Sequence, residues 1–213
     1  MFGDQEVEAI EKLDASNEGN YVGKIIVSEN VTLDSVIQDP AGDEGFKYGG
    51  WVGRIGDHDR EDAAKVTLDE ALSTEVMLLG RRSYEFLASR WPSRTGELAD
   101  RLNNKPKYVI SSTLQDPTWN NATVLKGDVI SEVSRLKSQI AGDIAIAASF
   151  QLVCTLLENG LIDELRLMIY PVVLGEGKRL FDGASAKVSM RLINVRTVGG
   201  ELAYLTYKPI EIA

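Results

Sequence analysis

Two arginines and a serine follow directly on a short apolar segment, and they are the clearest candidates for binding a charged ligand. The segment Val76–Leu79 has the composition of a buried strand and runs straight into Gly80, Arg81, Arg82 and Ser83. A glycine permits a sharp turn, and a helix beginning there presents unpaired N–H groups. Helix N-termini flanked by guanidinium and hydroxyl groups bind phosphate. The sequence therefore predicts an anion site at residues 80–83, although two arginines after a strand also occur as ordinary surface charge.

A second candidate region lies further along the chain, around a predicted strand–helix–strand unit. The apolar run Ile144–Ala147 predicts a strand, Ser149 is suited to cap the helix that follows, and a second apolar run spans Leu165–Leu174. Such a βαβ unit makes its two strands parallel. Parallel sheets bind ligands beyond the carboxyl ends of their strands, so residues 147–151 and 171–178 are predicted to carry chemistry.

The segment between the first strand and the first helix is long and rich in glycine. Lys24–Ser28 predicts the first strand, and residues 29–50 after it show no periodicity. A loop of that length within a compact domain is often functional, for example as a lid over a site. Tyr48 and Trp51 could supply an aromatic wall for a planar ligand, or they could simply pack under the loop.

The remaining segments predict the elements that would position these residues. Helices are expected at 59–73 and from Asp128 to Gly142, and a strand at Lys107–Ser111. Residues 188–198 and 201–208 alternate apolar and polar positions around a Gly-Gly pair, which is typical of a β-hairpin. These patterns predict one α/β domain with a mixed sheet.

Composition excludes several classes of function. The chain has 213 residues, 44% hydrophobic and 26% charged, with a formal net charge of −9. This acidity argues against nucleic acid as a partner, because no excess of basic residues is available to displace counterions. No apolar run approaches the roughly 20 residues of a membrane span, and no signal peptide is evident, so a cytoplasmic protein is expected. Residues 1–22 form an acidic extension, and residues 23–213 are the predicted domain.

Single cysteine and histidine residues limit metal and redox chemistry. One cysteine, Cys154, excludes an intramolecular disulfide and cysteine-cluster metal sites, and one histidine, His58, excludes multi-histidine zinc sites. No metal is expected. The cluster Asp57-His58-Asp59 could orient a general base, but a solvated group of charges is the simpler interpretation.

Several segments, in the same order along the chain, resemble one protein family. The longest is LLENGLIDELRLMIYPVVLGEGKRLF at 156–181, and the shorter ones are VSENVTLD (27–34), Gly-Gly-Trp (49–51), LLGRRSYE (78–85) and KYVISSTL (107–114). Together they resemble the reductase domain at the C-terminus of the bacterial riboflavin-biosynthesis protein RibD and its stand-alone relatives, which share the dihydrofolate reductase fold. The resemblance covers roughly residues 23–208.

This resemblance implies a fold, an activity and a set of site residues. It implies a dihydrofolate reductase-like mixed sheet of about eight strands, mostly parallel with a C-terminal antiparallel hairpin and flanked by helices. It also implies a homodimer that uses NADPH to reduce a small heterocyclic or ribose-derived substrate, such as a 5-amino-6-(5-phosphoribosylamino)uracil-like compound. The residues it assigns to the cofactor are Glu29, Asn30, Gly80, Arg81, Arg82, Ser83, Ser111, Ser112, Ala148, Ser149 and Phe150. Asp34 is the candidate catalytic residue, and Trp51 and Tyr170 are the candidate substrate contacts.

Two glycines typical of the family are replaced in this chain. Ala147-Ala148-Ser149-Phe150 occupies the turn after the fifth strand, and Ser35 replaces the glycine of a Thr-Leu-Asp-Gly motif. A side chain at such positions reduces the room for a ligand and adds strain if φ is positive. These changes favour a second hypothesis, in which a reductase fold has lost catalysis and serves a binding or structural role.

A nucleotide hydrolase is the third hypothesis, and the sequence supports it least. The segment Gly175-Glu-Gly-Lys178 lacks the first glycine and the Ser/Thr of a P-loop, because Val172 and Arg179 occupy those places. No G-x-G-x-x-G fingerprint follows a strand.

Overall fold

The chain is described from residue 23 to residue 210 in a computed structural model. The acidic extension expected at residues 1–22 lies outside the described residues. One eight-stranded mixed sheet forms the centre of this part, with strands in the order β4-β3-β2-β5-β1-β6-β8-β7. The strands are β1 (Ile25–Thr32), β2 (Val76–Gly80), β3 (Lys107–Ile110), β4 (Ala122–Leu125), β5 (Ile144–Ala147), β6 (Glu164–Tyr170), β7 (Met190–Val198) and β8 (Leu202–Pro209).

Five α-helices flank the sheet within residues 23–210. They are α1 (Asp57–Ser73), α2 (Arg81–Ala88), α3 (Glu97–Asn104), α4 (Val129–Gln139) and α5 (Phe150–Glu158), with 3-10 turns at Trp51–Gly53 and Trp91–Ser93. None of these helices is both long enough and apolar enough to cross a membrane.

The strand directions confirm the predicted topology. β1 to β6 run parallel, and β8 and β7 add an antiparallel hairpin beside β6. β5, α5 and β6 form the predicted βαβ unit, but β1 lies between its two strands and pairs with both. The carboxyl ends of β1, β2 and β5 therefore lie side by side at one edge of the sheet.

Apolar residues on both faces hold the helices against the sheet. On one face, Ile25, Val27 and Ile146 are fully buried against α4 and α5. On the other face, Val66 of α1 packs with Met168 and the C-terminal hairpin. Burial on both faces explains why the parallel strands are near-continuous apolar runs in the sequence.

Three local predictions need correction. β1 continues to Thr32 rather than ending at Ser28, so the following loop is shorter than expected. This loop is not a free lid, because Val36 forms a β-bridge with Arg179. α3 has no counterpart among the predicted elements, since its eight residues make only about two turns, fewer than the window over which a helical period is read.

The turn after β5 contains two consecutive left-handed residues that are not glycine. Ala148 has φ 56° and Ser149 has φ 66°, and Ser35, the other replaced glycine, has φ 65°. The chain thus keeps a backbone conformation that suits glycine while carrying side chains that disfavour it. Ser149 also does not cap α5 as predicted, because its hydroxyl accepts a hydrogen bond from the Gly80 N–H instead (3.0 Å).

Glu29, in the middle of the sheet, carries a buried carboxyl group. Its Oε1 atom is buried without a hydrogen-bond partner. Burial raises the pKa of Glu29 from 4.5 to about 8, opposed by the N–H of Ala148, and no charged neighbour contributes. Glu29 is therefore protonated at neutral pH in the folded protein.

Replacing Glu29 with glutamine is expected to remove a pH dependence of stability. The unfolded chain ionises Glu29 above pH 4.5, whereas the folded protein keeps it protonated up to about pH 8. The contribution of Glu29 to the free energy of unfolding is therefore fully present below pH 4.5. It falls by about 1.4 kcal/mol for each pH unit between pH 4.5 and about pH 8. Urea unfolding from pH 5 to pH 8 should show Glu29→Gln gaining stability over the unsubstituted protein as pH rises. The exposed control Glu61→Gln should show no such trend, and parallel curves for all three proteins would refute the assignment.

Glycine at position 148 is expected to stabilise the protein. Ala148→Gly relieves the left-handed strain and should raise the free energy of unfolding by about 0.5 to 1 kcal/mol. The matched control is Ala147→Gly in β5, which should lower it by a similar amount because glycine weakens a strand. Thermal or urea unfolding shows whether each variant raises or lowers the free energy of unfolding. A loss of stability in Ala148→Gly would contradict the inference that the backbone is strained at position 148.

Candidate cofactor cleft and adjoining cavities

An open cleft of about 400 Å³ lies at the carboxyl ends of β2, β3 and β5. The first turns of α2 and α5 form two of its sides. The residues that line it are Gly80, Arg81, Arg82, Ser83, Ile110, Val129, Ser149, Phe150, Gln151, Leu152 and Thr155. Six of the predicted cofactor residues are therefore brought together in one place.

Two helix N-termini meet at this cleft because of the order of the strands. β2 and β5 are neighbours in the sheet, and each is followed by a helix that begins at its carboxyl end. The Gly80–Ser149 hydrogen bond joins the two helix starts directly. The first N–H groups of a helix lack intrahelical partners and carry partial positive charge, so the cleft combines two sets of donors suited to an anion.

Gly80 is not needed for a sharp turn, contrary to the sequence-based expectation. Its φ is −75°, which any residue can adopt. A Cβ atom at this position would lie 3.7 Å from Ser149 Oγ, which is an ordinary contact. Neither strain nor crowding demands glycine here, yet a methyl group would project between the two helix starts.

The two arginines of the cleft differ in how they are held. Arg81 donates to Glu85 Oε1 (2.7 Å) and to Thr113 Oγ1. Arg82 is exposed and has no hydrogen-bond or ion-pair partner among residues 23–210. Arg82 is thus free to bind a ligand, whereas Arg81 is held beside the cleft by its two contacts.

The strand end at Ser111 and Ser112 contributes less than predicted. The Ser111 hydroxyl accepts from the N–H groups of Thr113 (3.2 Å) and Leu114 (2.9 Å), so it stabilises a turn. Ser112 is exposed beside it, and neither serine lines the cleft. Thr113, which the sequence did not single out, is the residue of this turn that contacts Arg81.

The predicted region 171–178 approaches the cleft through one basic side chain. Lys178 Nζ lies 5.9 Å from the centre of the Phe150 ring. This lysine adds positive charge close to the start of α5, consistent with an anion site.

Asp34 holds two loops together. Its carboxylate accepts from the Thr32 hydroxyl (2.7 Å) and from the N–H groups of Leu174 (3.2 Å) and Gly175 (2.9 Å). These hydrogen bonds, chiefly the one from Thr32, lower the pKa of Asp34. The group is held ionised and lines neither the cleft nor the adjoining cavities, so its surroundings disfavour the catalytic role, which stays a prediction.

Three cavities lie between α1 and the sheet, and two of them adjoin the β5 turn on the side away from the cleft. The larger, about 170 Å³, is bordered also by α3 and is called the chamber here. The smaller, about 120 Å³, is called the polar pocket; it includes Glu29 and Asn30 and shares Ser28, Thr67, Glu70, Ala147 and Arg166 with the chamber. Neither cavity was predictable from the sequence, since the residues that line each one come from segments far apart in the chain.

Glu29 and Asn30 point to opposite faces of the sheet. Ser28 donates to Glu70 of α1 (3.0 Å), so strand alternation places Asn30 on the same face and Glu29 on the α5 face, beneath the Ala148 turn. Glu29 is therefore placed to support the turn beside the cleft.

Trp51 and Tyr170 are core residues. Their rings meet edge to face at 5.3 Å, and the Trp51 indole donates to the Gln38 carbonyl (2.9 Å). Burial raises the pKa of Tyr170 to about 12. Both border a small pocket of about 190 Å³ that shares no residue with the cleft or the two cavities near α1. Packing accounts for the position of these two side chains, and their contact with substrate stays a prediction.

His58 is a surface residue. It is exposed and lies 3.8 Å from Asp62 in an ion-pair arrangement within α1. Asp59, by contrast, is buried and accepts from the N–H groups of Gly200 (2.6 Å) and Glu201 (3.2 Å). The hydrogen bonds of Asp59 attach the start of α1 to the C-terminal hairpin.

Comparison with known proteins finds similar sequences and similar structures. The protein YyaP of Bacillus subtilis (strain 168) is 33% identical over 138 residues, covering 62% of this chain and 73% of YyaP. A protein of Shewanella sp. PV-4 assigned to riboflavin biosynthesis superposes with a TM-score of 0.69 at 22% identity, over 88% of this chain and 99% of its own. Dihydrofolate reductase from Enterococcus faecalis, solved with NADP(H), superposes with a TM-score of 0.53 at 14% identity, over 90% and 99%.

The two structural similarities establish the dihydrofolate reductase-like fold. The family model of the RibD C-terminal domain matches residues 23–204, which is most of the chain. The protein therefore belongs to the RibD C-terminal domain family.

Proposed function

We propose that this protein is an NADPH-dependent reductase of a small heterocyclic substrate. The observation that carries the proposal is the convergence of two helix N-termini and two arginines on one open cleft, at the strand edge where α/β sheets bind ligands. The fold family supports it, because the Enterococcus faecalis relative was solved with NADP(H).

The residues of the cleft fit the charged part of a dinucleotide. Its volume of about 400 Å³ lies in the range of small-molecule sites. The N–H groups at the starts of α2 and α5, the free guanidinium of Arg82 and the hydroxyl of Ser83 would hold phosphate oxygens. Ile110, Val129 and Leu152 provide apolar contact for a ribose or a base.

The chain would supply binding and orientation, and NADPH when bound would supply the hydride. The β5 turn separates the cleft from the chamber: Ala147 borders the chamber and Ser149 borders the cleft. Two residues of extended chain span about 7 Å, so ligands in the two sites would meet at this turn. The Gly80–Ser149 hydrogen bond and the buried Glu29 would keep the turn rigid during the reaction.

A homodimer is the assembly we propose. The edge strand β7 exposes three large apolar side chains: Leu192 (49%), Ile193 (47%) and Val195 (59%). An exposed apolar edge strand is a template for pairing with another chain. We therefore propose that β7 of one copy pairs with β7 of a second copy.

Substitution of the arginines tests the proposed cofactor site. NADPH binding, followed by nicotinamide fluorescence, should be saturable and should weaken at least about tenfold in the double variant Arg81→Ala/Arg82→Ala, because charge-assisted hydrogen bonds to phosphate are lost. The matched control is Arg191→Ala/Lys208→Ala, which removes the same charge from the far edge of the sheet and should leave binding unchanged.

The variant Gly80→Ala tests the proposed NADPH site independently of the arginines. It adds one methyl group without strain, so stability should stay within about 0.5 kcal/mol while NADPH affinity falls.

Absence of NADPH binding at millimolar concentration would instead support the reductase fold without catalysis. Equal losses for NADPH and a dephosphorylated analogue lacking the pyrophosphate would contradict the role given to the arginines.

The oligomeric state tests the proposed dimer. Sedimentation velocity at micromolar concentration should show a dimer, and Val195→Lys should shift it to monomer because a charge is placed at the apolar contact. Thr123→Lys on the opposite edge strand, β4, is the matched control and should remain dimeric. A monomer for the unsubstituted protein would rule this assembly out.

A further inference from the structure

The third cavity between α1 and the sheet, of about 430 Å³, lies beside the C-terminal half of α1 and is called the outer cavity here. One face of α1 forms one side of it, and side chains of β6, β8 and β7 form the other. Asp59, at the start of α1, is bonded to Gly200 and Glu201 of the hairpin turn, whereas no hydrogen bond joins the later turns of α1 to β7 within residues 23–210. α1 and the hairpin turn are therefore joined at one end, and the outer cavity lies beyond that end.

Two opposite charges line the outer cavity without forming an ion pair with each other. Arg196 of β7 is exposed, and its guanidinium lies 4.8 Å from the centre of the Tyr204 ring. It has no carboxylate partner among residues 23–210, and exposed Asp69 of α1 has neither a hydrogen-bond nor an ion-pair partner in that range. Because the ring provides no acceptor atom, the N–H groups of Arg196 remain available to a ligand.

The other charged groups of the outer cavity are linked to one another. Arg166 donates to Glu164 (2.6 Å) and lies 3.6 Å from Glu70. Together with Asp69 and Arg196, the cavity carries three carboxylates and two guanidinium groups. A purely anionic ligand would add to this negative excess, whereas a ligand with one charge of each sign would not.

A buried hydroxyl group opens into the outer cavity beside Arg196. Thr206 of β8 is only 8% exposed, and its hydroxyl has no hydrogen-bond partner among residues 23–210. This oxygen is not enclosed by protein atoms, as Glu29 Oε1 is, so it keeps access to the cavity that Thr206 lines. Asn194 lies directly opposite Thr206 on β7, and Arg196 is two residues further along the same face. A hydroxyl, an amide and a guanidinium group therefore form a row of donors suited to a carboxylate, called the donor row here.

We propose that the outer cavity binds a small zwitterionic ligand, with its carboxylate at the donor row and its ammonium group at Asp69. The donor row and Asp69 belong to elements on opposite sides of the cavity, so a ligand with a charge at each end contacts both. Arg166 neutralises only one of the two remaining carboxylates, and the other favours the ammonium group. The volume lies in the range of small-molecule sites. Free amino acids and other short amino carboxylates are the class of molecule with this chemistry.

The proposal does not rest on the proposed reductase function. The outer cavity shares Glu70, Arg166 and Tyr204 with the polar pocket, but it shares no residue with the cofactor cleft. It is also compatible with the proposed dimer, because Val195 points to the face of β7 opposite the donor row. Binding is measured without NADPH, so its outcome is distinguishable from that of the cofactor experiments.

Amino carboxylates of increasing length test the proposal. Glycine, 4-aminobutyrate and 6-aminohexanoate carry both charges at increasing separation, and their comparison shows which length the cavity accepts. In amide-detected NMR titrations of the ¹⁵N-labelled protein at pH 7, the best of the three should shift the amides of Asp69, Asn194 and Arg196. The acid and the amine of the same chain length should each bind at least about tenfold more weakly, because each lacks one charged hydrogen-bonding group.

Two substitutions should change this selectivity in different ways. In Arg196→Gln, the zwitterion should lose its advantage over the amine, because the donor row has lost its charge. In Asp69→Asn, the zwitterion should lose its advantage over the acid. The matched controls are Arg191→Gln on the same strand and Glu61→Gln on the same helix. Each control removes an exposed charge outside the cavity and should leave both preferences unchanged.

Three results would overturn the proposal. They are an acid or amine that binds as tightly as the zwitterion, no shift of the outer-cavity amides by any probe at tens of millimolar, and a control substitution that acts as strongly as its counterpart. Should a variant fail to fold, the comparison of each zwitterion with its singly charged analogues on the unsubstituted protein still decides.

Discussion

A single hydrogen bond, from the Gly80 N–H to Ser149 Oγ, joins the starts of two helices at the edge of the sheet. It requires Ser149 to adopt a left-handed conformation, which turns the hydroxyl away from α5 and towards β2. The same turn lies between the candidate cofactor cleft and the chamber near α1. The arrangement of both sites therefore depends on a strained segment of two residues, Ala148 and Ser149, supported from below by the buried Glu29.

Strain of this kind persists only where the surrounding structure determines it, and it concentrates at functional sites. A relaxed turn would be easily available to glycine, yet Ala148 and Ser35 both keep positive φ values without it. The Ser149 side chain offers a reason at its own position, because a glycine could not accept the hydrogen bond from Gly80. The loss of glycine thus does not by itself indicate a loss of function. It is consistent with a site whose backbone shape is retained and whose rigidity is supplied by a side chain.

Much of the fold follows from the sequence, because apolar runs and helix ends are local signals. The parallel sheet, the C-terminal hairpin and the helix that begins directly after Gly80 were all accessible in this way. The insertion of β1 between β5 and β6 was not, since strand order depends on pairing across more than a hundred residues. Asp34 shows a similar limit: its motif suggested catalysis, but its hydrogen bonds to Leu174 and Gly175 are set by how distant loops meet.

The adjoining cavities illustrate why residues that together line a cavity escape sequence reasoning. Glu70 appears in the sequence as one more acidic residue on a helix rich in acidic residues, and Arg166 as a polar position in a strand. Only the sheet places them together with Ser28 and Tyr204, where one carboxylate oxygen remains available. Helix propensity and strand alternation do not predict that side chains from four separate segments will contact one another.

We propose that the two joined helix starts hold the phosphates of a dinucleotide. A crystal structure of the protein with saturating NADPH tests it most directly. The account predicts the pyrophosphate within hydrogen-bonding distance of backbone N–H groups at the starts of both α2 and α5, with the Arg82 guanidinium on a phosphate oxygen. Cofactor bound elsewhere on the molecule, or phosphates that contact neither helix start, would contradict it.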